Sequence, residues 1–119
     1  MSEAAAKRKP VPRNTRRYPR YAMDVRMTVE VFRSGTVSYF WGRSTEFGMD
    51  GIGGTLPGDL ETGEVVSMEF ALPSVPLPLR LRAIVRYRIG LHYGFEFLTL
   101  NGGQRAALRA MCDRLAMGM

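Results

Sequence analysis

From Tyr21 to Val31 the chain alternates without a fault. Tyr21, Met23, Val25, Met27, Val29 and Val31 fall on one side, and Ala22, Asp24, Arg26, Thr28 and Glu30 on the other. A two-residue repeat of apolar and other side chains describes a strand with one face buried. A helix would spread the same residues around its whole circumference. This stretch therefore predicts one long strand, and a strand needs partners.

The partners follow in order. "RSG" turns the chain into "TVSYFWGRST", and after a glycine segment "GIGGTL" continues as a short strand. "PGDLETGE" is a turn cluster leading to "VVSMEFAL", where Val66, Met68, Phe70 and Leu72 share a face. The prolines of "PSVPLP" end that strand, because proline cannot donate to a ladder. In "LRLRAIVRY" the inward set is Leu79, Leu81, Ala83, Val85 and Tyr87, and in "LHYGFEFL" it is Tyr93, Phe95 and Phe97, with "IG" turning between them. Only the end reads as helix: Leu108, Met111 and Leu115 form a stripe with Cys112 at its flank, Asn101 caps, and Gln104 completes a capping box. About six antiparallel strands in 119 residues hide their edges best by curling into a barrel, with the helix covering one mouth or side.

The charge belongs to the tail. Up to Arg20 there are seven Lys and Arg against Glu3, which accounts for the whole formal +6; the other 99 residues hold ten arginines and ten acids. No apolar run is long enough to span a bilayer, and no apolar segment follows the basic N-terminus as in a secretion signal. The single cysteine has no disulfide partner, so a cytoplasmic setting is expected. An enzyme is not expected. His92, the one histidine, lies on the strand face opposite the aromatics; Cys112 reads as a small core residue; the acids show no metal-binding spacing.

The arginines are a different matter. Residues 1–12 read as a flexible basic tail, with Lys7 to Lys9 also suiting a solvated arm, and Arg13, Arg16, Arg17 and Arg20 crowd the segment before the first strand. Arginine carries a permanent, planar fork that pairs with phosphate in bidentate fashion, docks on the O6 and N7 edge of guanine or stacks on a base. Forks spaced four apart converge on one compact anion.

"RRYPRY" entering a strand, the glycine segment after the second strand and the ending "LRLRAIVRYRIGLHYGFEFLTLNGGQRAALRAMCDRL" together resemble the PilZ domain family. The resemblance covers roughly Arg13 to Leu115. It implies a six-stranded antiparallel barrel with a C-terminal helix, and a receptor for cyclic di-GMP, with no further cofactor. On this reading residues 13–117 are one domain: a ligand clamp at 13–21, a barrel at 22–98 and a helix at 102–116. The family's Arg-x-x-x-Arg motif is matched by Arg16 and Arg20, with Arg17 adjacent. Its second motif, Asp/Asn-x-Ser-x-x-Gly, is altered. Aligned on Phe47 and Ile52, Glu46 takes the acid position, Gly48 the serine and Gly51 the glycine, while Asp50 adds a negative charge. A second register, through Arg43, Thr45 and Gly48, keeps a hydroxyl but puts arginine where an acid belongs.

Three functions follow from these residues. The first is a single-domain receptor that clamps cyclic di-GMP with Arg13, Arg16, Arg17, Arg20, Glu46, Gly48 and Gly51, orders its arm and signals through an unidentified downstream protein. The second is an adaptor of the same family that has lost the nucleotide and acts by protein contact alone. The third is a single-strand nucleic-acid module stacking bases on Tyr39, Phe40, Trp41 and Tyr87, disfavoured by the neutral body. The first reading carries two expectations: Gly48→Ser restores a hydrogen bond and strengthens binding, and Arg20→Ala leaves the unliganded fold's stability nearly unchanged.

Overall fold

The alternation that begins at Tyr21 does not survive as one strand. In the computed structural model, which describes residues 17–73 and 76–118, it is split into β1 (Tyr21–Ala22) and β2 (Arg26–Arg33). The cause is Ser44, the one buried polar residue among those described. Its Oγ accepts the Val25 N–H at 2.9 Å and donates to the Met23 carbonyl, so a side chain occupies the ladder positions between the two strands.

The remaining elements are β3 (Thr36–Phe47), β4 (Gly51–Thr55), β5 (Val65–Phe70), β6 (Leu79–Ile89), β7 (His92–Leu98) and α1 (Gly102–Ala116). All pairings are antiparallel. The order β3-β2-β5-β6-β7-β4 closes when β4 pairs back onto β3, giving a six-stranded barrel with β1 as an extra strand on β3. Closure leaves no open edge along those six strands. The barrel is filled by the inward residues of the alternating runs. Met27, Val29, Phe47, Ile52, Met68, Phe70, Leu81, Val85, Tyr93 and Phe95 are all essentially inaccessible to solvent. Phe47 and Phe70 meet edge to face at its centre.

The helix forms where its cap dictates. The Asn101 side chain accepts from the Gln104 N–H at 2.7 Å and the Gln104 side chain accepts from the Asn101 N–H at 2.8 Å, a complete capping box. Leu108, Met111 and Cys112 are buried, while Leu115 is only partly covered. The helix rests on β1 and β6.

One inward assignment is overturned. Tyr87 points outward, because β6 bulges between Val85 and Tyr87 and shifts the register so that Tyr87 faces Gly94. Its ring fills the space over that glycine and stacks on His92. A bulge of one residue reverses the side on which the following residues emerge.

The loop between β4 and β5 is tied to the barrel by Tyr93, whose buried hydroxyl donates to the Gly58 carbonyl at 3.0 Å and accepts the Leu60 N–H at 3.2 Å. Tyr93→Phe removes both partners at once without changing the shape of the core. Urea denaturation is expected to show a loss of about 1–3 kcal/mol, the range for stranding a buried donor and acceptor. A loss under about 0.5 kcal/mol would show that water replaces the hydroxyl and that the loop is held elsewhere.

Candidate functional site

β1 pairs with the last two residues of β3, Tyr21 opposite Phe47 and Ala22 opposite Glu46. The residue before β1 is therefore delivered to the residue after β3, and Arg20 lies over Gly48. The approach is close. A Cβ on Gly48 would stand 2.7 Å from the Pro19 carbonyl oxygen and 2.8 Å from Arg20 Cδ, and one on Gly51 would stand 3.0 Å from Arg20 Nη2. Gly48 is needed for this contact, whereas Gly51 is required first by β7, because a Cβ there would run into the Phe95 carbonyl oxygen; neither adopts a left-handed backbone. The expectation for Gly48→Ser is corrected accordingly: serine at this position must first push the Pro19–Arg20 segment away.

The turn from β3 to β4 is short, with the Gly48 N–H donating to the Gly51 carbonyl at 2.9 Å. The Phe97 N–H holds the Asp50 carbonyl at 2.9 Å. Fixed this way, the Asp50 carboxylate accepts from Arg20 Nε at 3.2 Å, and Glu46 Oε2 lies 3.5 Å from Arg20 Nη1. The Arg20 side chain is 14% exposed, and its two acidic partners are only somewhat more open. Arg20 is thus a partly buried cation with one carboxylate at Nε and a second near Nη1. Beside it opens a pocket of about 210 Å³ lined by Arg20, Asp50, Arg86, Tyr87, Gly94, Phe95 and Glu96.

Of the residues singled out in the sequence, Arg20, Glu46, Gly48 and Gly51 come together here. Arg17 is described and exposed, and Arg13 and Arg16 lie outside the described residues. The second register finds no support in the geometry. Arg43 is turned to Asp24 at 2.7 Å, and Thr45 donates to the Gly53 carbonyl. Sequence reasoning missed Arg86 and Tyr87 as members of the pocket, since only the bulge in β6 brings Tyr87 to the outside. Asp50 was read as a nearby charge, not as a direct partner of Arg20. The groups considered for catalysis are placed unfavourably for it: burial pushes the Cys112 thiol up to about 11, and His92 Nε2 is engaged by the Tyr87 hydroxyl at 3.3 Å.

The chain belongs to the PilZ family, whose PilZ domain model matches residues 14–114. Solved structures agree on the fold. The PilZ domain of YcgR from Escherichia coli with c-di-GMP superposes with a TM-score of 0.67 at 17% identity, covering 87% of this chain and 93% of that one. The PilZ domain of CeSA from a cellulose-synthesizing bacterium gives 0.62 at 17% identity, with 80% and 96% covered. The Bacillus subtilis inhibitor of motility MotI/DgrA gives 0.69 at 18% identity over 87% of this chain, which spans about half (52%) of that protein. No curated protein matches the chain in sequence.

The position of Arg20 bears on the expectation that its loss is silent. Arg20→Ala leaves Asp50 and Glu46 facing each other and opens the space above Gly48. Thermal and urea unfolding without ligand are expected to show a loss of about 1 kcal/mol at low salt that shrinks in about 1 M NaCl, as for a partly screened ion pair. An unchanged melting temperature at low salt would mean that the pairings carry no stability.

Proposed function

We propose that this PilZ domain is a receptor for cyclic di-GMP that binds the nucleotide on the outer wall of the barrel at Arg20. The observation that carries the reading is the Arg20 guanidinium, held beside a pocket by Asp50 and Glu46 and backed by glycines on both sides. Such a fork is preorganised for an anion or a guanine edge. It reaches a phosphate by exchanging a carboxylate oxygen for a phosphate oxygen. Glu46 then remains as acceptor for guanine N–H groups, and Arg86, which lines the pocket paired with Glu96 at 2.5 Å, supplies a second guanidinium.

The pocket alone is small for a dinucleotide, since pockets for drug-sized ligands run to about 300–1,000 Å³. The clamp arginines Arg13, Arg16 and Arg17 supply the rest of the enclosure in this proposal, folding down over the ligand. A ligand that binds the ordered arm better than the free one shifts the population toward it, and that altered surface is the signal to a downstream protein. The setting is cytoplasmic, where such a second messenger is made. Among the described residues no helix is long and apolar enough to cross a membrane.

Asp50 favours the second reading, the nucleotide-free adaptor, because it already neutralises Arg20 and adds a negative charge where phosphate would sit. One titration separates the two. Calorimetry of the full chain with cyclic di-GMP, with GTP as control, is expected to give saturable heat that Arg20→Ala abolishes or greatly weakens. Asp50→Asn, which removes the competing charge and keeps the shape, is expected to tighten binding by about 3- to 10-fold. No heat from either the parent or Asp50→Asn would establish the adaptor. Undiminished binding by Arg20→Ala would place the nucleotide elsewhere.

A further inference from the structure

The outer wall made by β3, β2 and β5 carries a feature that the nucleotide reading leaves unused. Phe32 is 70% exposed, Tyr39 62% and Trp41 60%, with Val37 and Val65 beside them also exposed. They are contiguous. Val37, Tyr39 and Trp41 emerge on the same side of β3, and Phe32 sits directly opposite Val37 across the β2–β3 ladder. Phe32, Val37 and Val65 then line a groove of about 300 Å³ together with Glu30, Val66, Ser67 and Arg82. An apolar cluster of this size on a small domain marks an interaction surface. Around the barrel, β2 at the centre of this wall is separated by two strands in either direction from β7, which lines the Arg20 pocket.

The charges on the wall select the occupant. Glu30, the groove's carboxylate, is committed to Arg80 at 2.9 Å and to the Tyr39 hydroxyl, which it pushes above its usual pKa. Arg82 reaches the same groove and makes no ion pair among the described residues. Arg26 likewise has no carboxylate among the described residues and lies over the Trp41 ring at 5.0 Å. The wall therefore offers apolar contact area bordered by two cations that lack acidic partners. The chain's own N-terminal twenty residues, with their +6, have the wrong charge to fill it. A nucleic acid is disfavoured by the aliphatic lining of the groove, Val37, Val65 and Val66, which offers no stacking face.

We propose that this wall is the docking site for a segment of a partner protein that carries aliphatic side chains next to acidic ones. The aliphatic groups pack on Phe32, Val37 and Val65, and a carboxylate pairs with Arg82. Tyr39 and Trp41 extend the contact as rigid aromatic surface, the kind that anchors protein interfaces. The inference stands independently of nucleotide binding.

The test uses the full chain and a displayed library of short random peptides, with emission from Trp41, the sole tryptophan, as the direct reporter. Selected peptides are expected to combine aliphatic residues with Asp or Glu and to change that emission on binding. Val37→Asp and Arg82→Glu, both at accessible positions, are each expected to weaken binding by about tenfold, with melting curves like the parent's. Arg82→Glu is also expected to prefer the same peptides with Lys in place of the acid. The proposal is overturned if no peptides are enriched, if those enriched lack acids, or if both variants bind as the parent does. It is equally overturned if oligouridylate rather than peptide shifts the Trp41 emission, or if the full chain self-associates through this wall in sedimentation and Val37→Asp returns it to monomer.

Discussion

Two residues of backbone pairing decide where everything else at the site falls. Tyr21 and Ala22 lie against Phe47 and Glu46, and from that register alone Arg20 is carried over the β3–β4 turn. The turn must then be bare, which Gly48 and Gly51 satisfy, and the guanidinium must be neutralised, which Asp50 and Glu46 satisfy. At Gly48 and for the guanidinium these requirements follow from the register, while Gly51 is kept bare in addition by the Phe95 carbonyl of β7. The same short strand, which begins directly after Arg20, supports α1. In this domain Arg20, the β3–β4 turn and the helix are adjacent through β1.

The architecture was legible in the sequence because the barrel is built from elements whose signals are local. Period-two alternation gives a strand and its inner face; Asn101 with Gln104 gives a helix start; prolines and glycines give the breaks. What was not legible depends on contacts between distant residues. The division of the first strand rests on the Ser44 hydroxyl reaching Met23 and Val25, and nothing in "YAMDVRMTVEVF" announces it. The outward turn of Tyr87 rests on one extra residue in β6, which alternation cannot register because both sides of the bulge keep their own period. The gap between alternation and burial also explains why two of the three aromatics in "YFW" lie outside: the strand is regular, and Phe40 alone takes the partly buried side.

The candidate site divides in the same manner. Glu46, Gly48 and Gly51 follow from aligning the apolar flanks Phe47 and Ile52, and in three dimensions these residues do gather around Arg20. Asp50 is the informative departure. A loop residue with no prescribed role in the motif supplies the shorter of the two polar contacts to Arg20, and it does so because Phe97 pins its backbone. In a partly buried setting an arginine cannot be left without a counter-charge, and Asp50 supplies it. On the proposed reading, nucleotide affinity is a difference between two similar pairings, carboxylate and phosphate on one guanidinium.

That exchange is directly observable. In a 15N-labelled sample the Arg20 Nε–Hε resonance reports the group bonded to it, and cyclic di-GMP can be titrated while the resonance is followed. The expected result is a saturating shift of Arg20 Nε–Hε, as the hydrogen bond passes from Asp50 to the ligand, accompanied by movement of the Gly48 and Gly51 amides. A resonance that stays at its starting position, at ligand concentrations where GTP is equally silent, would contradict the exchange and with it the assignment of this site to the nucleotide.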